Sequence, residues 1–258
     1  MDGPITMAMV APHVALVTLN RAEARNAVNP EMTRALDAVV KRTEADPDIW
    51  VVVLTGAGSQ VFCAGADLKE IAAGNGDLLW TEAGGFAGFV YAERSKVWIA
   101  AVHGLALAGG CEIALACDLI VAADTAGFGL PEVTRGLIAS AGGLYRLPRV
   151  LPRAVAMEMI ATGARLEAAR AYQFGMVNRL VPADQVQAEA LALAETISGN
   201  APLAVRESLG IARQAADLPE TDLRALSRAA RRRIMATADY REGPRAFVER
   251  RAPKWTGR

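Results

Sequence analysis

The sequence predicts an α/β protein in which a strand-and-helix core is followed by a helical C-terminal part. Short apolar, β-branched runs alternate with amphipathic segments along the first part of the chain, which is typical of an α/β core. From Leu151 onward most segments have helical patterns instead. With 258 residues and 52% hydrophobic side chains, the chain can bury a sizeable core.

The first elements are clear from their patterns. Residues 5–10 and 13–20 alternate or are β-branched, and they predict a hairpin. Asn29 is placed to cap a helix over 30–45 that begins with proline. The run over 49–56 predicts a strand that is buried on both faces.

The middle of the chain continues the alternation. The stretch 62–74, FCAGADLKEIAAG, predicts a loop that enters a short helix. A helix is predicted over 87–96 and a buried strand over 97–104. A helix is then predicted to start at Cys111–Glu112, followed by a strand over 118–124.

The last third is predicted to be mainly helical. After a long Pro- and Gly-containing loop, helices are predicted over 152–163 and 166–175, with a short strand over 176–182. The composition of SGNAP at 198–202 is typical of a boundary. We therefore predict a core over 1–198 and a helical region over 199–258.

Composition excludes several classes of function. Basic and acidic residues balance at 28 each, so no overall charge attracts a polyanion or a membrane surface. The apolar run 97–117 contains glycines and Glu112, which argues against a membrane span. Three cysteines without framework spacing indicate reduced thiols and a cytoplasmic protein. Two histidines and three scattered cysteines provide no metal pattern.

Glu112 is the one charged side chain between Lys96 and Asp118. A carboxylate in the first turn of a helix is favoured by the helix dipole, and this explanation needs no function. The apolar neighbours of Glu112 nevertheless predict burial, which raises the pKa of a carboxyl group toward the useful range. Two glycines just before it leave backbone amides exposed at a helix N-terminus, where an anion can bind.

Two further acids stand in comparable places. Asp67 follows Ala–Gly–Ala at the start of a short helix, where it can act simply as a cap. Two strand-to-helix turns with bare amides could hold one oxygen, as an oxyanion hole does. Glu132 follows a proline in a Gly-rich loop and can equally be a solvated loop acid. Two carboxyl groups in one pocket could position a water and move its protons.

The combination of motifs resembles the enoyl-CoA hydratase/isomerase (crotonase) superfamily. The matching segments follow in the right order over nearly the whole chain: NRAEARNAVN, FCAGADLKE, VHGLALAGGCEIALACDLIVAADTAGFGLPEVTRGL, AGGLYRLPR, GMVNRLVP and EGPRAFVERRAPKWTGR. The resemblance implies a superhelix of repeated ββα units with a C-terminal helical trimerisation region. It further implies acyl-CoA thioester substrates and a homotrimer or a dimer of trimers.

The resemblance also implies roles for particular residues. Ala66 and Gly109 occupy the positions whose backbone N–H groups hold the thioester oxygen. Glu112 and Glu132 occupy those of the two catalytic glutamates of the hydratases, whereas isomerases often keep only the later acid. In that pattern a water held between the acids adds to C3 of a 2-enoyl-CoA, and a proton goes to C2. CoA is then part of the substrate, and no cofactor or metal is implied.

Further positions match segments that contact CoA. Those of the same chain are Ala24, Arg25, Ala64, Asp67, Leu68 and Lys69, whereas Phe247 and Arg250 match a region that reaches the CoA of a neighbouring subunit. For the charged members, ordinary surface charge is the alternative explanation. Trp80, Phe86 and Phe89 are candidates for the acyl pocket, with helix packing or loop anchoring as the equal alternative.

The chain departs from the usual hydratase pattern at Ala139–Ser140, where many hydratases have Pro–Gly. Ser140 keeps the amide that often positions the catalytic water, but its side chain narrows or polarises the pocket. An enoyl-CoA hydratase of fatty-acid or related acyl-CoA metabolism is therefore the first interpretation. A carnitinyl-CoA dehydratase-like enzyme, or an isomerase or hydrolase for an unusual acyl-CoA, is the alternative.

Nucleic-acid binding through Arg231–Arg233 is disfavoured because no aromatic residues interleave there.

Overall fold

The computed structural model describes residues 3–258, which divide into two compact units, a first that ends at Ala194 and a second over Glu195–Arg258. The described strands are β1 (Ile5–Ala11), β2 (Val14–Leu19), β3 (Val51–Gly56), β4 (Val61–Cys63), β5 (Trp80–Thr81), β6 (Gly85–Phe86), β7 (Val97–Val102), β8 (Leu105–Leu107), β9 (Leu119–Ala123), β10 (Gly127–Gly129), β11 (Arg165–Glu167) and β12 (Arg179–Val181).

The described α-helices are α1 (Pro30–Ala45), α2 (Leu68–Ala72), α3 (Gly109–Ala116), α4 (Gly143–Val150), α5 (Arg153–Thr162), α6 (Ala168–Gln173), α7 (Val186–Ser198), α8 (Pro202–Ala212), α9 (Glu220–Met235) and α10 (Ala238–Val248). Short 3₁₀ helices lie at Ala22–Ala24, Gly76–Leu79, Pro131–Arg135 and Ala183–Gln185. Within residues 3–258, no helix combines the length and apolarity needed to cross a membrane.

The larger sheet has six strands in the order β1-β2-β3-β7-β9-β12. The predicted hairpin is confirmed, because β1 and β2 pair antiparallel. The next pairings, from β2 to β12, are all parallel. Every residue of β3 and β7 is buried, as their unbroken apolar sequences predict for strands covered on both faces.

The smaller sheet, in the order β11-β10-β8-β4, brings two chain turns together. β4 pairs parallel with β8, so both strands end at the same edge of the sheet. α2 follows β4 and α3 follows β8, and the two strand-to-helix turns are therefore neighbours. This pairing is the feature of the fold that positions the candidate site.

The cap predicted for α1 is confirmed. The Asn29 side chain accepts a hydrogen bond from the Met32 amide at 2.9 Å, and Pro30 occupies the first helical position. Proline fits there because its missing N–H would have no partner inside the helix. The helices predicted over 152–163 and 166–175 also correspond to α5 and α6.

The helix predicted over 87–96 is wrong. This segment forms consecutive turns, and Ala87 and Gly88 have φ angles of 58° and 65°. Gly88 lies so close to α1 that a Cβ atom there would be 2.5 Å from the Asp37 Cβ. Close packing onto α1 therefore outweighs the helical pattern of the sequence.

The first loop is held to the core by one buried amide side chain. Asn26 is fully buried, and its Nδ2 donates to the carbonyls of Ala57, Val61 and Phe62 at 2.9–3.1 Å. Its Oδ1 accepts from the amide of Arg21. A buried amide with four partners fixes the path of the loop next to β4.

The second unit contains α8, α9 and α10, and several of its arginines form ion pairs with acids of the same unit. Arg233 of the basic run forms a two-pronged pair with Glu207 at 2.6 Å. Arg251 pairs with Glu242 at 2.6 and 2.9 Å. Such pairs indicate that part of the C-terminal basic charge is neutralised within the chain.

Candidate active site

A cavity of about 580 Å³ opens in the first unit. Its wall includes the first loop at Arg25, the turn between β4 and α2, and the turn between β8 and α3. Trp80 and Phe86 form an aromatic part of the wall, and their ring centroids lie 5.7 Å apart in an edge-on arrangement. The loop after β10 completes the wall and contributes Glu132.

Two backbone amides without acceptors belong to adjacent turns of the cavity wall. Ala66 and Gly109 both line it, and neither N–H has a hydrogen-bond acceptor among residues 3–258. The turns touch closely, since a Cβ on Gly65 would lie 2.8 Å from the Gly109 nitrogen. Ala108 has φ 51°, an unusual value for a residue other than glycine, and it directs the start of α3.

Glu112 lies in the first turn of α3 and is only 3% exposed. One carboxylate oxygen, Oε1, accepts a hydrogen bond from the Gly143 amide at 2.8 Å. The pKa of Glu112 is raised from its ordinary 4.5 to about 7, chiefly by burial and in smaller part by the nearby Glu132. The amides of Gly143 and Ala141 and the charge of Arg146 oppose this rise. The group is therefore poised to exchange a proton near neutral pH.

Glu132 provides a second buried carboxyl group in the same cavity. It is 8% exposed, and its Oε2 is buried without a hydrogen-bond partner in the described chain. Burial raises its pKa above the usual range, while the charge of Arg135 lowers it. A buried carboxylate oxygen without a protein partner is costly unless water or a ligand binds it.

We expect Glu112→Gln to stabilise the protein at about pH 8.5 more than at about pH 5. The folded pKa of Glu112 is raised, so its contribution to stability is lost as pH rises from 4.5 through about 7. Each raised pKa unit costs about 1.4 kcal/mol once the group is ionised. Glutamine stays uncharged and can still accept from Gly143.

The measurement is the difference in melting temperature between Glu112→Gln and the unchanged chain at both pH values. Because the other groups titrate in both proteins, their effects largely cancel. A difference that does not change with pH would mean that the Glu112 carboxyl group ionises at its ordinary pKa.

The chemistry that this arrangement can perform is limited by its groups. Both carboxyl groups have raised pKa values, and Glu112, with a pKa of about 7, can take up and release a proton near neutral pH. Two bare amides can stabilise a developing oxyanion. Within residues 3–258, no cluster of three or more His, Cys, Asp or Glu side chains could hold a metal ion.

Comparison with known proteins decides the family. Residues 10–258 match the family described as enoyl-CoA hydratase/isomerase. The chain belongs to this family. A carnitinyl-CoA dehydratase of Proteus mirabilis is 39% identical over 247 residues, which are 94% of each chain. The (E)-benzylidenesuccinyl-CoA hydratase of Thauera aromatica is 40% identical over 257 residues, covering 98% of this chain and 99% of that one.

The solved structures of the enoyl-CoA hydratase/isomerase family agree with the fold. The crystal structure of an enoyl-CoA hydratase from Mycobacterium tuberculosis is 41% identical, covers 100% of both chains and has a TM-score of 0.95. The predicted α/β class with C-terminal helices is therefore confirmed. The domain boundary predicted after residue 198 stays a prediction, beside the division into units after Ala194.

The structure brings most of the predicted site residues into one cavity wall. Those that line the cavity are Arg25, Ala64, Ala66, Asp67, Leu68, Trp80, Phe86, Gly109, Glu112, Glu132 and Ser140. Asp67 also caps α2, accepting from the Lys69 amide, and pairs with Arg21 at 3.3 Å. Its predicted role as a helix cap is therefore confirmed.

Other predicted residues lie elsewhere. Ala24 is the last residue of the 3₁₀ helix Ala22–Ala24, and Lys69 is exposed on α2. Neither residue lines the cavity. Phe247 on α10 and Arg250 just after it belong to the second unit and are exposed. Their contacts with the CoA of a neighbouring subunit stay predictions.

Phe89 is not part of the cavity wall. It is fully buried, and its ring lies 5.0 Å from that of Trp98, while the Arg94 guanidinium lies 3.9 Å from its centre. This position corrects the expectation that Phe89 lines the acyl pocket. The turn at Ala87 and Gly88 directs the ring into the core, which corresponds to the packing alternative.

The amide of Ser140 is not directed at the site as expected. It donates to the Ile138 carbonyl at 2.9 Å, within its own turn. The Ser140 carbonyl accepts from the Tyr91 hydroxyl at 2.6 Å, and the residue still lines the cavity. The amides that act on Glu112 are instead those of Gly143 and Ala141.

Sequence reasoning missed Arg146, which supports the loop beside Glu112. Its guanidinium donates to the carbonyls of Ala141 at 3.1 Å and Val90 at 2.6 Å. It thereby holds the segment that carries the Gly143 amide. Nothing in the local sequence distinguishes Arg146 from a surface arginine, because one of its partners, the Val90 carbonyl, is 56 residues away in the chain.

Proposed function

We propose that the chain is an enoyl-CoA hydratase that adds water across the 2,3 double bond of a 2-enoyl-CoA thioester. The observation that carries the proposal is the convergence of two buried carboxyl groups, Glu112 and Glu132, with the bare amides of Ala66 and Gly109 on one cavity. Hydration needs both parts, since protons must move at a water and the thioester oxygen gains charge.

In the proposed mechanism, the thioester oxygen accepts hydrogen bonds from the Ala66 and Gly109 amides. A water lies between Glu112 and Glu132, one of which takes its proton as the oxygen bonds to C3. The resulting enolate is stabilised by the two amides until the other carboxyl group delivers a proton to C2. The raised pKa values of both carboxyl groups support this use, because the reaction needs one acid ionised and the other protonated.

The CoA part is proposed to lie along the wall that contains Arg25, Ala64 and Leu68. CoA belongs to the substrate, so no separate cofactor is needed for the reaction. The family resemblance supports a homotrimer or a dimer of trimers in which Phe247 and Arg250 reach a neighbouring site. We also propose a cytoplasmic enzyme without nucleic-acid or membrane partners, with the free cysteines as support.

Dehydration of a carnitinyl-CoA-like thioester is the second candidate. The 39% identity to the Proteus mirabilis carnitinyl-CoA dehydratase favours it, and so does the Ser140 side chain at the cavity wall. The same groups would then run the reaction in reverse, because hydration and dehydration share one transition state.

The test is a spectroscopic assay with purified protein. The protein is added to a short 2-enoyl-CoA and then to longer ones. We expect rapid loss of the absorbance of the conjugated thioester. If the absorbance falls with none of the enoyl-CoA substrates, although CoA thioesters still bind, hydration of simple substrates is contradicted. A 3-hydroxyacyl-CoA, a 3-enoyl-CoA and a carnitinyl-CoA, assayed in parallel, separate dehydration, isomerisation and the second candidate.

A further inference from the structure

Arg135 lies beside Glu132 on the cavity wall, and neither the motifs nor the proposed reaction gives it a role. Both residues belong to the 3₁₀ helix Pro131–Arg135 and both line the cavity. Side chains three residues apart in a 3₁₀ helix lie on the same face, about 6 Å apart along the axis. The guanidinium is therefore anchored one turn from the carboxyl group that acts at the acyl chain.

The charge of Arg135 is not neutralised by an ion pair within the described chain. Its Nη1 donates to the Thr134 hydroxyl at 3.0 Å, and no carboxylate of residues 3–258 lies within 4.0 Å of it. By contrast, Arg21 is paired with Asp67, which itself lines the cavity. Arg135 thus has most of its five donors available for a ligand.

The surroundings of Arg135 strengthen its effect on a ligand. Leu137 and Ile138 follow it on the cavity wall, and both are apolar and exposed. Ser140, from the same loop, also lines the cavity, and its hydroxyl has no hydrogen-bond partner in the described chain. A guanidinium and a hydroxyl beside apolar side chains can bind a group that is anionic at the end of a hydrocarbon chain.

We propose that Arg135 selects acyl-CoA substrates whose acyl chain carries a carboxylate a few carbons beyond C3. The inference rests on the proposed function, since it assumes that the acyl group lies beside Glu132. Arg135 is a specificity-determining residue in this assignment, and Ser140 supplies a second donor. The thioester would be that of a dicarboxylic acid rather than of a simple fatty acid.

The experiment compares two six-carbon substrates, the mono-CoA thioester of hex-2-enedioic acid and hex-2-enoyl-CoA. We expect the unchanged enzyme to prefer the diacid in kcat/KM. In Arg135→Met the ratio of the two kcat/KM values should fall on the order of 10- to 100-fold, because a hydrogen-bonded charge pair is lost. Arg135→Lys should keep part of the preference, since it retains charge without the planar fork.

Arg153→Met is the matched control, because Arg153 is exposed on α5 and does not line the cavity. It should leave the preference unchanged. An equal loss for both substrates in Arg135→Met, together with weaker binding of CoA itself, would overturn the inference and assign Arg135 to the coenzyme phosphates. Absence of any preference in the unchanged enzyme would also overturn it.

Binding of saturated analogues separates this inference from the proposed function. Calorimetry with adipoyl-CoA and hexanoyl-CoA measures selection without turnover. If neither enoyl-CoA is hydrated but adipoyl-CoA binds more tightly in an Arg135-dependent manner, hydration fails and the anion selection stands. If hex-2-enoyl-CoA is hydrated and the analogues bind equally, hydration stands and the anion selection is overturned.

Discussion

Replacing Glu112 by glutamine is expected to lower the hydration rate about 100- to 10,000-fold, the usual contribution of a general acid or base. Glutamine has almost the same shape and can still accept from the Gly143 amide, so α3 and its neighbours keep their positions. It cannot take up a proton from water. The loss should therefore appear in kcat, with little change in the binding of a saturated acyl-CoA.

The control for this change is Glu158→Gln, because Glu158 is exposed on α5 and lies outside the cavity wall. Steady-state rates of both variants are compared with that of the unchanged chain on the same enoyl-CoA. Turnover of Glu112→Gln near that of the unchanged chain would remove Glu112 from the mechanism, although its burial would still need an explanation.

Much of the fold follows from local patterns in the sequence. β3 and β7 are unbroken apolar runs, and their burial on both faces could be predicted from composition alone. Asn29 followed by proline is a sufficient signal for the start of α1. The helix predicted over 87–96 is wrong because the close packing of Gly88 on α1 is a tertiary constraint that no local pattern contains.

The candidate site was predictable where backbone and burial define it. Glu112 is recognisable as a single charge in an apolar run, and the glycines before it indicate bare amides. The orientation of an individual group is not predictable in this way. Phe89 turns into the core, and the Ser140 amide donates within its own loop. Both orientations depend on φ angles and packing partners that the local sequence does not specify.

Arg135 could have been found by its spacing from Glu132. The proline before Glu132 favours the start of a helical turn, and a residue three positions later then shares its face. The sequence does not reveal whether such an arginine is paired elsewhere. That requires the positions of the acids around it, which come from segments distant in the chain.

Gly109→Pro is expected to lower kcat about 100- to 1,000-fold relative to Gly109→Ala, the usual cost of one oxyanion donor. Both replacements add a Cβ, which would meet the Phe86 Cε1 atom at 2.4 Å, so this contact is common to the two variants. Only proline removes the N–H. Gly109 is the first residue of α3, where the helix loses no internal hydrogen bond with proline.

The comparison of Gly109→Pro with Gly109→Ala therefore controls for the added Cβ, while the proline ring on the nitrogen belongs to the change that removes the N–H. Far-UV circular dichroism and the urea midpoint show whether both variants keep the fold, and kcat on a 2-enoyl-CoA is then measured for each. Equal rates in the two variants would place the stabilising donor elsewhere. A larger loss with proline, at equal stability, supports a role for this amide at the thioester oxygen, in the turn that the pairing of β8 and β4 brings beside Ala66.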